Sequence, residues 1–206
     1  MADEEEEDPD MALAIAMSLG QVAPPPPSAS ASELADAAIG ARFVRRVVPS
    51  DQSCLFHCVS LAFDGQLGRE QADELRQTIA AVMLSSQHEW WCSEAALGMP
   101  PERYAERIQG ETWGGANELR IFADNFQTEL MVFHIHEQKV EVVRFGEDAG
   151  YSERVFLIHD GIHYDLVVKE VDTNAPALDV RRFEASDEQA VELARAVAEA
   201  EHRARR

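Results

Sequence analysis

Hydrophobic and polar positions change their rhythm three times along the chain. Residues 2–10 are an acidic run, residues 10–19 (DMALAIAMSL) a short apolar helix candidate, and residues 21–32 (QVAPPPPSASAS) have the composition of an extended linker. Strand formers then crowd into residues 42–48. From residue 54 the apolar residues fall at helical spacing, as in Leu55, Val59 and Phe63. Helices are predicted over 54–64, 70–84, 88–97, 101–109 and 116–126, with a loop at 111–115. Pro101 suits a first helical turn. From residue 128 the pattern turns to β-rich runs at 129–136, 139–145, 154–159 and 163–169, separated by turn residues. A last helix is predicted within 183–206, starting at Ser186, with Asp187 and Glu188 early and arginines late. Helices first and strands later predict an α+β fold, a mixed sheet flanked by helices. The domain limits read as an acidic tail and linker over 1–40, a globular domain over 41–170 and a C-terminal extension with a helix over 171–206.

One junction carries chemistry. The strand at 42–48 runs into Pro49-Ser50-Asp51-Gln52-Ser53, and Cys54 follows at the first turn of a helix. Unpaired N–H groups and the positive end of the helix dipole stabilise an anion there. A thiol so placed is expected to have a lowered pKa, and the thiolate is the nucleophile. The same N–H groups, with others from residues 51–53, are placed to face the oxyanion of a tetrahedral intermediate. The plain alternative is a buried cysteine beside an ordinary helix cap, with Asp51 or Ser53 as the capping acceptor.

A partner for that thiol lies far downstream, in Gly161-Ile162-His163-Tyr164-Asp165. Histidine removes a thiol proton near neutral pH, and does so better when its second nitrogen donates to a fixed acceptor. Along a strand, side chains two apart share a face, which puts Asp165 near His163. Seven histidines occur in the chain, so a His-x-Asp run is on its own an ordinary strand feature.

Charge and cysteine usage narrow the class. The 206 residues hold 18 Lys and Arg against 38 Asp and Glu, a net charge of −20. Such a surface repels nucleic-acid phosphates and anionic membranes, so neither is expected as a partner. Three cysteines (Cys54, Cys58, Cys92) without a paired framework suit a reducing compartment. No cationic-then-apolar leader and no membrane-length apolar run is visible, so a cytoplasmic location is expected, with the nucleus as a further one. Cys54-x3-Cys58 has no recognised zinc spacing, and no metal or other cofactor is expected.

Taken together, RRVVPSDQSCLFH, ELRQTIA, ETWGGANELRIFAD, RFGEDAGYSERV and LIHDGIHYD resemble, in order and spacing, the OTU (ovarian tumour) family of cysteine deubiquitinases. The resemblance runs from about Arg42 to Val168 and is strongest to the Otu1-type branch. It implies an OTU-type, papain-like cysteine protease fold and a ubiquitin-specific thiol isopeptidase acting on ubiquitin and polyubiquitin chains. It implies Cys54 as nucleophile and His163 as general base, and gives the aspartate of the D-x-x-C turn, Asp51, an active-site role. The residues themselves make Asp165 the better orienter of His163 and Asp51 a shaper of the turn; both are carried. By the same resemblance Ile162 contacts the C-terminal tail of ubiquitin, and Trp113, Gly114 and Gly115 lie near the loops framing the cleft. Trp113 is equally well read as core filler. Otu1-type proteins assist an AAA ATPase segregase, docking through a ubiquitin-like domain, and carry a Cys/His zinc finger; neither module is found in the sequence. In their place Met11, Ala14 and Ser18, preceded by acids, resemble a ubiquitin-interacting helix. The alternative to an enzyme is a catalytically silent ubiquitin-binding adaptor.

Overall fold

The computed structural model describes residues 42–205. The tail and linker, with Met11, Ala14 and Ser18, lie outside the described residues. The elements are β1 (Arg42–Arg46), α1 (Cys54–Phe63), α2 (Arg69–Ser85), α3 (Glu94–Leu97), α4 (Pro101–Ile108), α5 (Ala116–Phe126), β2 (Thr128–Ile135), β3 (Val140–Phe145), β4 (Glu153–His159), β5 (Tyr164–Glu170), β6 (Phe183–Glu184) and α6 (Glu188–Ala204). Five strands form one sheet in the order β1-β5-β4-β2-β3, with β6 paired to β4. β2 and β4 run parallel and the other pairs antiparallel, so the sheet is mixed.

Both faces of the central strands are buried, which is why β2 and β4 read as near-continuous apolar runs. Period two sorts their side chains between two layers. Leu130, Val132, Val155 and Leu157 pack with Phe56, Ile79, Met83 and Phe122 under the helices α1 to α5. Met131, Phe133, Phe156 and Ile158 face the other way, against Ala190, Val191, Ala194 and Ala198 of α6. At roughly 1.5–3 kcal/mol for each large apolar side chain buried, both layers are substantial. The helix at the end of the stretch read as an extension is therefore the second layer of the sheet.

One predicted helix is broken. Residues 88–97 form a single 3-10 turn, Trp90–Cys92, and then the short α3. Ser93 stands between them in extended conformation, with its hydroxyl accepting from Ala96 N–H at 3.3 Å. A serine that bonds the backbone ahead of it starts a helix in preference to continuing one. The two-residue strand β6 was not predicted; it is too short to show a period.

The sheet register brings the two halves of the site together. β1 runs antiparallel to β5 with Arg46 opposite Leu166, so the end of β1 lies beside the start of β5. Beyond those ends lie the turn before Cys54 and the loop carrying His163. Among the described residues, no helix is long and apolar enough to cross a membrane.

Candidate active site

Cys54 opens α1 and is buried at 4% exposure, against the interior of the site. The turn ahead of it is built by its own side chains. Asp51 accepts from the N–H of Ser53 at 2.7 Å through one carboxylate oxygen and meets His57 Nε2 at 3.1 Å through the other. Burial opposes ionisation of Asp51, but His57 and the Ser53 N–H outweigh it and hold its carboxyl below the usual range. Asp51 thus shapes the turn, its carboxylate bonded to His57 and to the Ser53 N–H.

The orienting partner of His163 is Asp165. Asp165 Oδ1 lies 3.1 Å from His163 Nε2 and also accepts from Val48 N–H at 2.9 Å. Arg45 binds its other oxygen through Nε at 2.6 Å. With Nε2 committed to the carboxylate, Nδ1 is the ring nitrogen left to take a proton. The loop before it is a tight turn: Asp160 Oδ1 accepts from the N–H groups of Ile162 and His163 at 3.1 and 2.8 Å. Gly161 sits there at φ +98°, a backbone conformation that favours glycine. Burial works against the charge on Asp160, but the His163 N–H, Arg205 and the Ile162 N–H prevail and bring it down to about 2.

The start of β5, one residue past His163, reaches the thiol through its backbone. Burial pushes the Cys54 thiol up, while the backbone N–H groups of Tyr164 and Leu55 bond to the sulfur and pull it back down. The lowered pKa expected from the helix terminus is therefore corrected: desolvation outweighs the backbone N–H groups, and nearby Asp51 and Asp165 add to the rise. Such a thiol reacts by giving its proton to a base as it attacks. Tyr164 is the residue after His163, so its contact with sulfur fixes where the imidazole loop stands. Its ring stacks on His159 at 4.2 Å, and His159 meets His134, Nδ1 to Nδ1, at 3.0 Å. Burial and His134 lower His159 to about 4, which keeps that pair uncharged at neutral pH.

Other predicted residues sit as follows. Ile162 is 67% exposed on the His163 loop. Trp113 is 59% exposed, which excludes the core-filler reading. Gly114 lies against α1, where an added Cβ would come within 2.8 Å of Leu55 Cδ2, so only glycine lets this loop approach so closely. Gly115 precedes α5, its N–H donating to Glu118 at 2.7 Å.

Two arginines were missed in the sequence. Arg76 on α2, 2% exposed, donates to the carbonyls of Ile108, Gln52 and Thr112 and to Ser53 Oγ, at 2.8–3.0 Å. Its guanidinium also lies over the Phe56 ring at 4.1 Å. It ties the turn before Cys54 to the Trp113 loop. A cation on the apolar stripe of Ala72, Ile79 and Met83 was the signal that could have found it. Arg45, alternating within a short strand, gave no such signal. Beside the turn a cleft of about 560 Å³ opens between Asp51, Ser53, His57, Asp73 and Arg76.

No protein-family model matches the chain. Curated relatives do. A ubiquitin thioesterase OTU1 of Gallus gallus is 43% identical over 157 residues, 73% of this chain and 50% of that protein. The Homo sapiens ubiquitin thioesterase OTU1 is 41% identical over 157 residues, 73% of this chain and 43% of that protein. An ovarian tumor domain-containing deubiquitinating enzyme of Arabidopsis thaliana is 42% identical over 123 residues, 59% of this chain and 56% of that protein. The chain thus spans about half the length of the curated relatives it matches. Among solved structures, an ovarian tumor domain in complex with ubiquitin superposes with TM-score 0.65 at 24% identity, covering 78% of this chain and 87% of that one. A viral OTU domain protease from Dera Ghazi Khan virus gives 0.53 at 20% identity, over 62% of this chain and 81% of that one. These two share the fold.

Proposed function

The globular domain of this chain belongs to the OTU family, on its OTU1-type branch, and on that premise we propose that the protein is a thiol-dependent ubiquitin hydrolase. Its substrates in this reading are isopeptide bonds at the C-terminal glycine of ubiquitin. The observation that carries it is the convergence of Cys54, the Tyr164 N–H on its sulfur, and His163 held by Asp165 at 3.1 Å. His163 Nδ1 takes the thiol proton as sulfur attacks the glycine carbonyl carbon. The developing oxyanion faces N–H groups of the turn that Asp51 and Arg76 shape. His163 then returns the proton to the departing lysine amine. Water, deprotonated by His163, hydrolyses the thioester. Because burial raises the pKa of the thiol, the base is needed for attack and not merely for turnover.

Ile162 and Trp113, both exposed and apolar, are the side chains we assign to the ubiquitin tail. The net charge of −20 suits an arginine-bearing tail and a basic face on the substrate. Three unpaired cysteines support a reducing compartment, the cytoplasm. Work alongside an AAA ATPase segregase is supported by the OTU1-type likeness alone. A silent adaptor has no use for a desolvated thiol set against an oriented histidine. Hydrolysis of a fluorogenic amide on the C-terminus of ubiquitin tests the reading. Activity that disappears in Cys54→Ala supports it, and hydrolysis that survives that change refutes the site.

A further inference from the structure

The last turn of α6 is wired to both sides of His163. On one side Glu201 accepts from Arg45 Nη1 at 2.6 Å. Arg45 in turn holds Asp165 Oδ2 through Nε at 2.6 Å and Nη2 at 2.5 Å, and Asp165 Oδ1 meets the imidazole. On the other side Arg205, just past the helix, donates to Asp160 Oδ2 at 2.8 Å. The second oxygen of Asp160 holds the N–H groups of Ile162 and His163. Glu201 and Arg205 are four residues apart, so they leave the helix on one face.

We infer that α6 is a positioning element of the active site, with Glu201 acting through Arg45 and Arg205 acting through Asp160 to set the charge balance around His163. This rests on the thiol hydrolase reading above. A guanidinium bound to Asp165 draws that carboxylate's charge away from the imidazole. Glu201, on the far side of the guanidinium, restores a negative charge. Imidazolium forming on His163 therefore meets Glu201, Arg45 and Asp165 with a net charge of minus one. On the loop side Asp160 and Arg205 balance each other.

The other groups near His163 leave this balance as the adjustable part. Cys54 on α1 is the proton donor itself, and Asp51 acts on Cys54 from the turn. His159 on β4 stays neutral above about 4, and burial foremost pushes the Tyr164 phenol up to about 12. Neither changes charge across the working range.

The inference makes opposed predictions for like-sized changes. Glu201→Gln removes a negative charge, so imidazolium is less favoured and the acid limb of kcat/KM against pH moves to lower pH, by roughly half a pH unit. Arg45→Gln and Arg205→Gln remove positive charges, and each moves the limb to higher pH. Glu201→Asp keeps the charge and the wild-type limb. Glu201 and Arg205 are about one-third exposed, so their removal changes the melting temperature little, and those two carry the test even if Arg45→Gln fails to fold. The measurement is the pH profile of ubiquitin-amide hydrolysis for the full chain and these variants, at low ionic strength. Limbs displaced in opposite directions support the inference. Limbs that coincide, or move the same way for Glu201→Gln and Arg205→Gln, overturn it while leaving the hydrolase standing. A wild-type chain without hydrolysis overturns both.

Discussion

Two aspartates flank the nucleophile, and their surroundings give them different work. Asp165 is 1% exposed and spends its oxygens on His163, Val48 N–H and Arg45. Asp51 stands at the surface of the turn, on His57 and Ser53 N–H. Asp165→Asn therefore lowers kcat by on the order of ten- to ten-thousand-fold with KM nearly unchanged, because the imidazole loses its fixed acceptor. Asp51→Ala lowers kcat and the melting temperature together, since the turn itself loosens. Steady-state kinetics beside thermal melts separate the two. An Asp165→Asn protein at full rate would remove Asp165 as the orienter. The closeness of His163 and Asp165 was legible because strand alternation is a short-range pattern; that this pair answers Cys54 was implied by the family resemblance and not by the pattern. The upward push on the Cys54 thiol was not legible, since desolvation depends on what packs above it from distant parts of the chain.

At the scale of elements, the site exists because three of them are clamped by one side chain. Arg76 reaches from α2 to the turn before α1, to the end of α4 and to the loop before α5. Arg76→Met keeps most of the apolar stem but leaves those acceptors without their donor, at about 2–4 kcal/mol of stability. It also lowers kcat by about tenfold, because the Gln52 carbonyl no longer fixes the oxyanion turn. Arg76→Lys restores little, since one ammonium cannot serve four acceptors spread around a planar fork. Urea unfolding with kinetics on the surviving native protein reads both effects. Stability and rate left intact in Arg76→Met would contradict the clamp. Most elements were legible from periodicity, including the helix at 116–126 and the strands around residues 130 and 156. The broken helix at 88–97 was not, because the hydroxyl of Ser93 competes with the pattern around it. The place of α6 was not either: the near-continuous apolar runs of β2 and β4 show that both faces are buried, but not which helix covers which.

Across the whole molecule, the net charge of −20 and the acidic tail ahead of Arg42 predict effects on how substrate is held and not on bond cleavage. In the sequence, the helix candidate at 10–19 is separated from the domain by about twenty residues of linker composition. If Met11, Ala14 and Ser18 grip a second ubiquitin, the tether raises its local concentration at the cleft. Deleting residues 1–30 then slows cleavage of long ubiquitin chains several-fold and leaves a single-ubiquitin reporter unchanged. Equal rates on long chains would leave the tail as a solubilising arm. Beneath all of this stands one claim, that Cys54 is a nucleophile addressed by the C-terminus of ubiquitin. Ubiquitin carrying a thiol-reactive warhead at its C-terminus, followed by intact mass and peptide mapping, tests it directly. The account predicts a single covalent adduct on Cys54 and none on Cys54→Ala; no adduct, or one on Cys58 or Cys92, would contradict it.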